Sequence, residues 1–261
     1  MGCRVSALGA LRRAYLRGPL WYHRSVLPPP DLPRATPRIS LAIVIPALDE
    51  APVIAQAVRR AREHADEVVV VDGGSRDDTA RVAREAGAKL VTSAPGRGLQ
   101  LNRGAAATRA EALLFLHADT LLPPSAGELV RRALAEGAVG GGFAVRFDHP
   151  RRLFPLGGRI VNLRTRLTGC PLGDQAQFVR RNVFERLGGF PAWQILEDLD
   201  FARRLKRAGR TVLIGAPVVT AARRFLNQGV VRTIATNWLI WLLFFAGVSP
   251  ARLARLYRHI R

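Results

Sequence analysis

The segment Glu67-Val68-Val69-Val70-Val71-Asp72-Gly73-Gly74-Ser75-Arg76-Asp77-Asp78-Thr79 decides the fold class of this chain. Four consecutive valines do not alternate with polar residues, so both faces of this strand are covered, as in a parallel sheet between helix layers. The run ends in an acid and two glycines, which suit a tight turn and close backbone approach to a ligand. Asp77, Asp78 and Thr79 are good helix-start residues, and Gly87 stops the helix that runs through Ala86. Working outward, Ala51–His64 has helical spacing (Val53, Ile54, Ala57, Val58, Ala61), and Ile39–Ile45 is a second β-branched run, stopped by Pro46. On the other side come a strand at Lys89–Thr92, a Gly-rich loop, a helix around Asn102–Ala110 and a strand at Ala112–Leu116. Strand–helix alternation at this spacing predicts a mostly parallel sheet with helices on both faces. Ligands of such sheets bind beyond the carboxyl ends of the strands. Asp49-Glu50, Asp72, Arg97 and Asp119 collect there.

The pattern loosens after Ala138. Val139–Phe147, Gln175–Arg180 and Thr211–Ile214 read as strands, Arg151–Thr168 as a helix with a basic face, and Glu197–Arg207 as a helix. The expected organisation is a basic, Pro-rich tail over 1–38, an α/β domain over 39–220, and a helical C-terminal segment over 221–261. Within the last, Ile234–Val248 holds Trp238, Trp241, Phe244 and Phe245 between arginines. It is short of the about 20 apolar residues of a membrane span. A core helix and a helix lying at a membrane surface both fit, and the flanking arginines favour the surface. The tail opens Met1-Gly2-Cys3-Arg4-Val5-Ser6, which fits a lipidation pattern; its composition also resembles a transit peptide. A basic surface-binding tail is the preferred reading.

Lys+Arg number 40 against Asp+Glu 20, a net charge of +20. Such a body attracts anionic lipid headgroups or phosphate-bearing substrates. No zinc-finger or RNA-binding signature and no long single-sign arm appears, so nucleic acid is not an expected partner. The two cysteines, Cys3 and Cys170, lie in unrelated surroundings, which fits a reducing cytoplasm rather than a disulfide framework.

Polar residues stand at four strand or helix ends in a fixed order: Pro46-Ala47-Leu48-Asp49-Glu50, Val71-Asp72-Gly73-Gly74-Ser75, His117-Ala118-Asp119 and Glu197-Asp198. Each alone reads equally as helix capping or a solvated acid. Together and in this order, over about Ser40 to Ile214, they resemble the family-2 glycosyltransferases, inverting enzymes of the GT-A fold. Pro46, Asp49 and Glu50 are similar to the family's P-x-x-N-E opening, with Asp in place of Asn. Asp72 and Gly74 resemble its V-D-D-G-S segment, which implies that Asp72 accepts a hydrogen bond from the nucleotide base. Arg97, Asn102 and Arg103, in Pro95–Gly104, match the loop and helix that meet base or diphosphate; a flexible loop with solvated arginines is the competing reading. Asp119 takes the place of the D-x-D carboxylate that binds Mg2+ or Mn2+. The first Asp of that motif is His117 here, which fits a Mn2+ ligand, a phosphate partner or a packed strand-end histidine. Glu197-Asp198 resembles the E-D pair, implying Asp198 as general base and Glu197 as the residue that orients that base or holds the acceptor. Asp174 and Gln175 fall where the acceptor strand begins.

The resemblance implies an inverting transferase that moves one sugar from a nucleotide-diphosphate donor, a UDP-sugar being expected, to an acceptor hydroxyl or carboxylate. The motif of processive relatives near Arg223 and Arg224 is absent. Composition favours a lipid acceptor and a peripheral position at the cytoplasmic face of a membrane. Two alternatives stand: a nucleotidyltransferase of the same fold, and a non-catalytic basic binding protein on that scaffold.

Overall fold

The computed structural model describes residues 38–149, 153–221 and 230–260. The expectations for the tail, and for Arg223 and Arg224, therefore lie outside the described residues. One eight-stranded sheet has the order β3-β2-β1-β4-β7-β6-β8-β5. Its strands are β1 (Leu41–Ala47), β2 (Glu67–Asp72), β3 (Lys89–Thr92), β4 (Ala112–Phe115), β5 (Thr120–Leu121), β6 (Gly140–Asp148), β7 (Phe178–Arg180) and β8 (Thr211–Ala221). β1 to β4 pair in parallel, whereas β7 runs antiparallel to both β4 and β6, making the sheet mixed.

Alternation along β1 divides the core. Leu41, Ile43 and Ile45 pack with α1 (Ala51–Arg62), α2 (Thr79–Glu85) and later α4 (Ala126–Ala135). Ala42 and Val44 face α3 (Arg97–Ala106), α6 (Arg181–Arg186) and α7 (Glu197–Ala208). Both strand faces are covered, which is why the valine run of β2 carries no polar alternation. Helix α3 lies close on the sheet at Gly104, where a Cβ would come within 2.3 Å of Val44 Cγ1. Helices α5 (Leu153–Thr168), α8 (Val230–Phe245) and α9 (Pro250–Ile260) complete the described chain.

Several boundaries differ from the sequence expectation; the strand expected over Gln175–Arg180 starts only at Phe178, because Gly173–Gln175 closes into a 3-10 turn. Pro46 lies inside β1, because β4 stops pairing at Val44↔Phe115 and leaves one side of β1 open there. Helix α3 begins at Arg97, capped by Gly96 at φ 142°, a backbone few side chains tolerate. Strand β8 runs on to Ala221, paired with β6 across an irregularity at Phe143/Ala144.

Asp66 clamps the start of β1, its Oδ2 accepting from the Leu41 N–H (2.8 Å) and from Arg131 of α4 (2.6 Å). Burial alone would raise its pKa, but the Leu41 N–H and the Arg131 guanidinium outweigh it and hold it below the usual value. A depressed folded-state pKa contributes stability above the unfolded value and loses it as pH falls through the folded one. Asp66→Asn is expected to cost about 1 kcal/mol at neutral pH, discounted for partial exposure. Urea melts should show that difference fading below about pH 4, the unfolded-state value; a pH-independent difference would contradict this.

Candidate functional site

The carboxyl ends of β1, β2 and β4 form one edge, and the antiparallel course of β7 brings later residues to it. Because Leu114 pairs with Phe178, the residues just before Phe178 stand beside those just after β4. His117–Asp119 thus meets the short 3-10 turn Gly173–Gln175. Helix α7 adds its first turn, with Glu197 and Asp198.

Asp198 is fixed by two backbone donors: Gly173 N–H gives to Oδ2 (2.9 Å) and Leu199 N–H to Oδ1 (2.8 Å). A Cβ on Gly173 would stand 3.1 Å from His117 Nε2 and 3.2 Å from Asp198 Oδ2, so both atoms converge on this glycine. Glu197 is 1% exposed and faces Arg97 Nη1 at 3.2 Å, while the Arg97 side chain is 49% exposed. Burial, then the neighbouring Asp198 carboxylate, raise the Glu197 pKa, and Arg97 opposes them. Burial, then the Arg97 cation, push the His117 pKa down to about 4, leaving a neutral imidazole whose buried Nε2 has no hydrogen-bond partner. Asp119 and Asp198 act on the same ring electrostatically. Asp174 joins them: burial raises its pKa, Asp198 adds to the rise, and its Oδ1 is buried without a partner. Unpartnered buried atoms and shifted acids on one edge mark a functional site rather than a packing solution. Of the four described non-glycine residues with left-handed backbone, Asp49, Ala176 and Leu196 sit here and Ser125 does not.

The β1 and β2 ends form a second group. Asp72 accepts from Ser75 N–H (3.2 Å) and from the Ser75 hydroxyl, and it is largely buried. Gly74 has φ 93°, within the region glycine favours, and a Cβ there would meet nothing within 4 Å. Asp49 latches the two loops together: its N–H donates to Ser75 Oγ (3.0 Å) and its Oδ1 accepts from Arg76 N–H (2.8 Å). The Glu50 N–H donates to Thr79 Oγ1 (2.8 Å).

Several candidates have work elsewhere. Asn102 exchanges two hydrogen bonds with the Phe190 backbone (2.8 and 2.9 Å), so both polar ends of its side chain brace a loop. Gln175 is fully buried; its Oε1 accepts from Arg164, Thr165 and the Leu172 N–H, and its Nε2 donates to Phe143 O. It shapes the turn that holds Asp174 and is not an acceptor contact. Arg103 is exposed, six residues beyond Arg97 on α3, and so leaves a different side of that helix.

Two buried amides were not singled out by sequence reasoning. Gln100 Nε2 donates to Ala47 O and Val71 O, both at 2.9 Å, tying the ends of β1 and β2. Gln177 Nε2 donates to Pro171 O (2.7 Å) and Asp198 O (3.2 Å), tying the turn to α7. Their only sequence signal is a glutamine within an otherwise apolar or strand-like stretch. Gln100→Met should lower stability by about 2 kcal/mol through two lost hydrogen bonds. Gln100→Glu should cost more at neutral pH, since a carboxylate cannot donate to two carbonyls. Equal melting temperatures for both variants would contradict this account of Gln100.

A model of the family described as glycosyl transferase family 2 matches residues 42–188. Glucosyl-3-phosphoglycerate synthase of Mycolicibacterium smegmatis is 29% identical, with 54% of this chain and 62% of that protein covered. The synthase of Mycolicibacterium paratuberculosis is 29% identical, with 51% and 55% covered. The chain thus spans less than two thirds of the length of these curated relatives. Among solved structures, glucosyl-3-phosphoglycerate synthase from Mycobacterium tuberculosis with uridine diphosphate superposes at TM-score 0.53 and 24% identity, covering 68% of this chain and 70% of that one. The same enzyme with Mn2+, uridine diphosphate and glucosyl-3-phosphoglycerate gives 0.51 and 23%, covering 68% and 70%. At that identity the likeness establishes the fold, a GT-A sheet flanked by helices.

Proposed function

The chain belongs to glycosyl transferase family 2, and on that premise we propose that it transfers one sugar, with inversion, from a uridine-diphosphate donor to an acceptor oxygen. The observation that carries this reading is the meeting of His117 and Asp198 beside Gly173, with Arg97 paired to the buried Glu197 and with Asp119 and Asp174 acting electrostatically on the same group of residues. Relatives solved with uridine diphosphate support the choice of donor. Family membership favours sugar transfer over nucleotidyl transfer.

In this reading Asp72 accepts the imide N–H of the base, and Gly74 leaves room for the nucleotide at the β2 end. Glu50 lies beside them at the start of α1. The donor set fits a divalent cation: a neutral imidazole with a free buried nitrogen and the Asp119 carboxylate two residues on. Among the described residues no group of three or more His, Cys, Asp or Glu could hold an ion by itself. That suits Mg2+ or Mn2+ held by one or two side chains, with diphosphate and water completing the shell. When bound, the cation neutralises charge on the leaving diphosphate. Arg97 adds positive charge on the same side, at the first turn of α3. Asp198, oriented by the Gly173 and Leu199 N–H groups, takes the proton of the acceptor oxygen as that oxygen attacks the anomeric carbon. Glu197 holds Arg97 in place, and Asp174 lies where an acceptor hydroxyl would be steadied. An acceptor carried on a lipid, at the cytoplasmic face of a membrane, accords with a chain that has no acid after Asp200.

Uridine diphosphate with Mn2+ is expected to raise the melting temperature, by a stabilisation of about 2.7 kcal/mol at a hundredfold excess over Kd. Asp119→Ala should abolish the metal-dependent part and Asp72→Ala the preference for uridine. Asp198→Asn should keep the shift while lowering donor turnover by roughly a thousandfold, in line with loss of a general base. No shift with any nucleoside diphosphate would sink the proposal; a shift without turnover in the wild type would favour a binding protein.

A further inference from the structure

Helix α5 carries an apolar stripe that no other described residue covers. Leu156, Ile160, Leu163 and Leu167 recur at steps of four, three and four, so they leave one side of the helix. All four are exposed, Leu163 at 57% and Leu167 at 77%. Helix α8 exposes Trp238, Leu239, Leu242 and Phe245, with Trp238 at 52% and Leu242 at 64%. Arg164 joins the helices, its guanidinium 5.0 Å from the Trp241 ring centroid. Four leucine-class side chains in a row on a solvent face, beside a second such face, form a patch of the kind that marks an interaction surface.

The charge around the patch selects what covers it. From Phe201 to Arg261 there is no aspartate or glutamate and there are twelve lysines and arginines. Helix α5 carries Arg159, Arg164 and Arg166 and no acid. Arg159 and Arg166 are exposed on one flank of the stripe, and Arg252 and Arg255 are exposed on α9. A second copy of this chain would set positive charge against positive charge, which disfavours a symmetric dimer through this face. Anionic headgroups complement the arginines, while the leucines and Trp238 suit the boundary between headgroups and acyl chains. No helix among the described residues is long and apolar enough to cross a membrane.

We propose that α5 and α8 form one docking surface on which the protein lies against an anionic lipid bilayer. Two contacts connect that surface to the candidate site. Arg164 donates to Gln175 Oε1 (2.9 Å), in the turn that carries Gly173 and Asp174. Phe244 of α8 meets the Trp193 ring at 6.1 Å, in the loop that enters Glu197 and Asp198. Docking therefore places the acceptor side of the site next to the bilayer. That consequence for the acceptor rests on the transferase reading; the docking itself does not.

Co-sedimentation of the full chain with phosphatidylcholine vesicles, with and without phosphatidylglycerol, tests the surface without any turnover. Binding is expected on the anionic vesicles, falling with added salt and weak on phosphatidylcholine alone. Leu163→Asp combined with Leu167→Asp, both on exposed positions, should weaken that binding roughly tenfold or more at an unchanged melting temperature. Equal binding by this variant would overturn the proposal and assign attachment to the basic charge alone. A dimer in sedimentation equilibrium that the variant dissociates would overturn it in favour of an interface between copies. A measurement independent of that variant uses a Trp21→Phe chain, in which brominated anionic lipid should quench the tryptophan emission; unquenched emission on bound protein would contradict the docked orientation.

Discussion

The ion pair between Arg97 and Glu197 is the constraint on which the candidate site depends. Glu197 is almost completely buried, and a carboxylate there without a partner would carry a desolvation cost of several kcal/mol. Arg97 supplies that partner from the first turn of α3, one hundred residues earlier in the chain. The pair therefore fixes α3 against α7, and with α7 it fixes Asp198 under the Gly173 N–H. Because about half of the Arg97 side chain stays exposed, the same arginine that neutralises Glu197 presents charge at this edge.

Around that pair the edge is built from loops that have little regular hydrogen bonding of their own. Buried amides supply what the loops lack. Gln100 binds the ends of β1 and β2, Asn102 binds the Phe190 backbone, Gln175 fills the turn before β7, and Gln177 ties that turn to α7. Phe190 in turn packs edge-on to Phe115 at 4.8 Å and against Phe201 at 4.4 Å, so the loop braced by Asn102 is anchored in the core. Buried amides engaged in this way hold the shape of the edge. Of the five buried side-chain atoms left without a hydrogen-bond partner among the described residues, His117 Nε2 and Asp174 Oδ1 belong to this edge.

Much of this arrangement was legible in the sequence because the parallel half of the sheet is local. Each strand run, its terminal acid and the following helix lie within about thirty residues, so periodicity and turn residues expose them. The places of Asp72, His117, Asp119 and the Glu197-Asp198 pair at strand and helix ends mark them as candidates. What escaped depends on pairing over longer range. Nothing in the local pattern of Phe178–Arg180 says that it runs antiparallel to β4, and that course alone carries Gly173 and Asp174 to the edge. The division of labour among Gln100, Asn102 and Gln175 was equally hidden, since a polar residue near a loop reads the same whether it faces a ligand or a backbone carbonyl. Five arginines over Arg151–Thr168 mark a basic helix face, while the four apolar positions of the stripe show their meaning only once their exposure is known.

In the proposed function this edge takes a divalent cation and a nucleoside diphosphate together. Anomalous scattering from crystals grown with Mn2+ and uridine diphosphate tests it directly. The expected result is one manganese peak in coordinating reach of Asp119 and His117 Nε2, with the diphosphate on the Arg97 side and the base against Asp72. Manganese bound elsewhere, or a nucleotide seated without engaging Asp119 and Asp72, would contradict it.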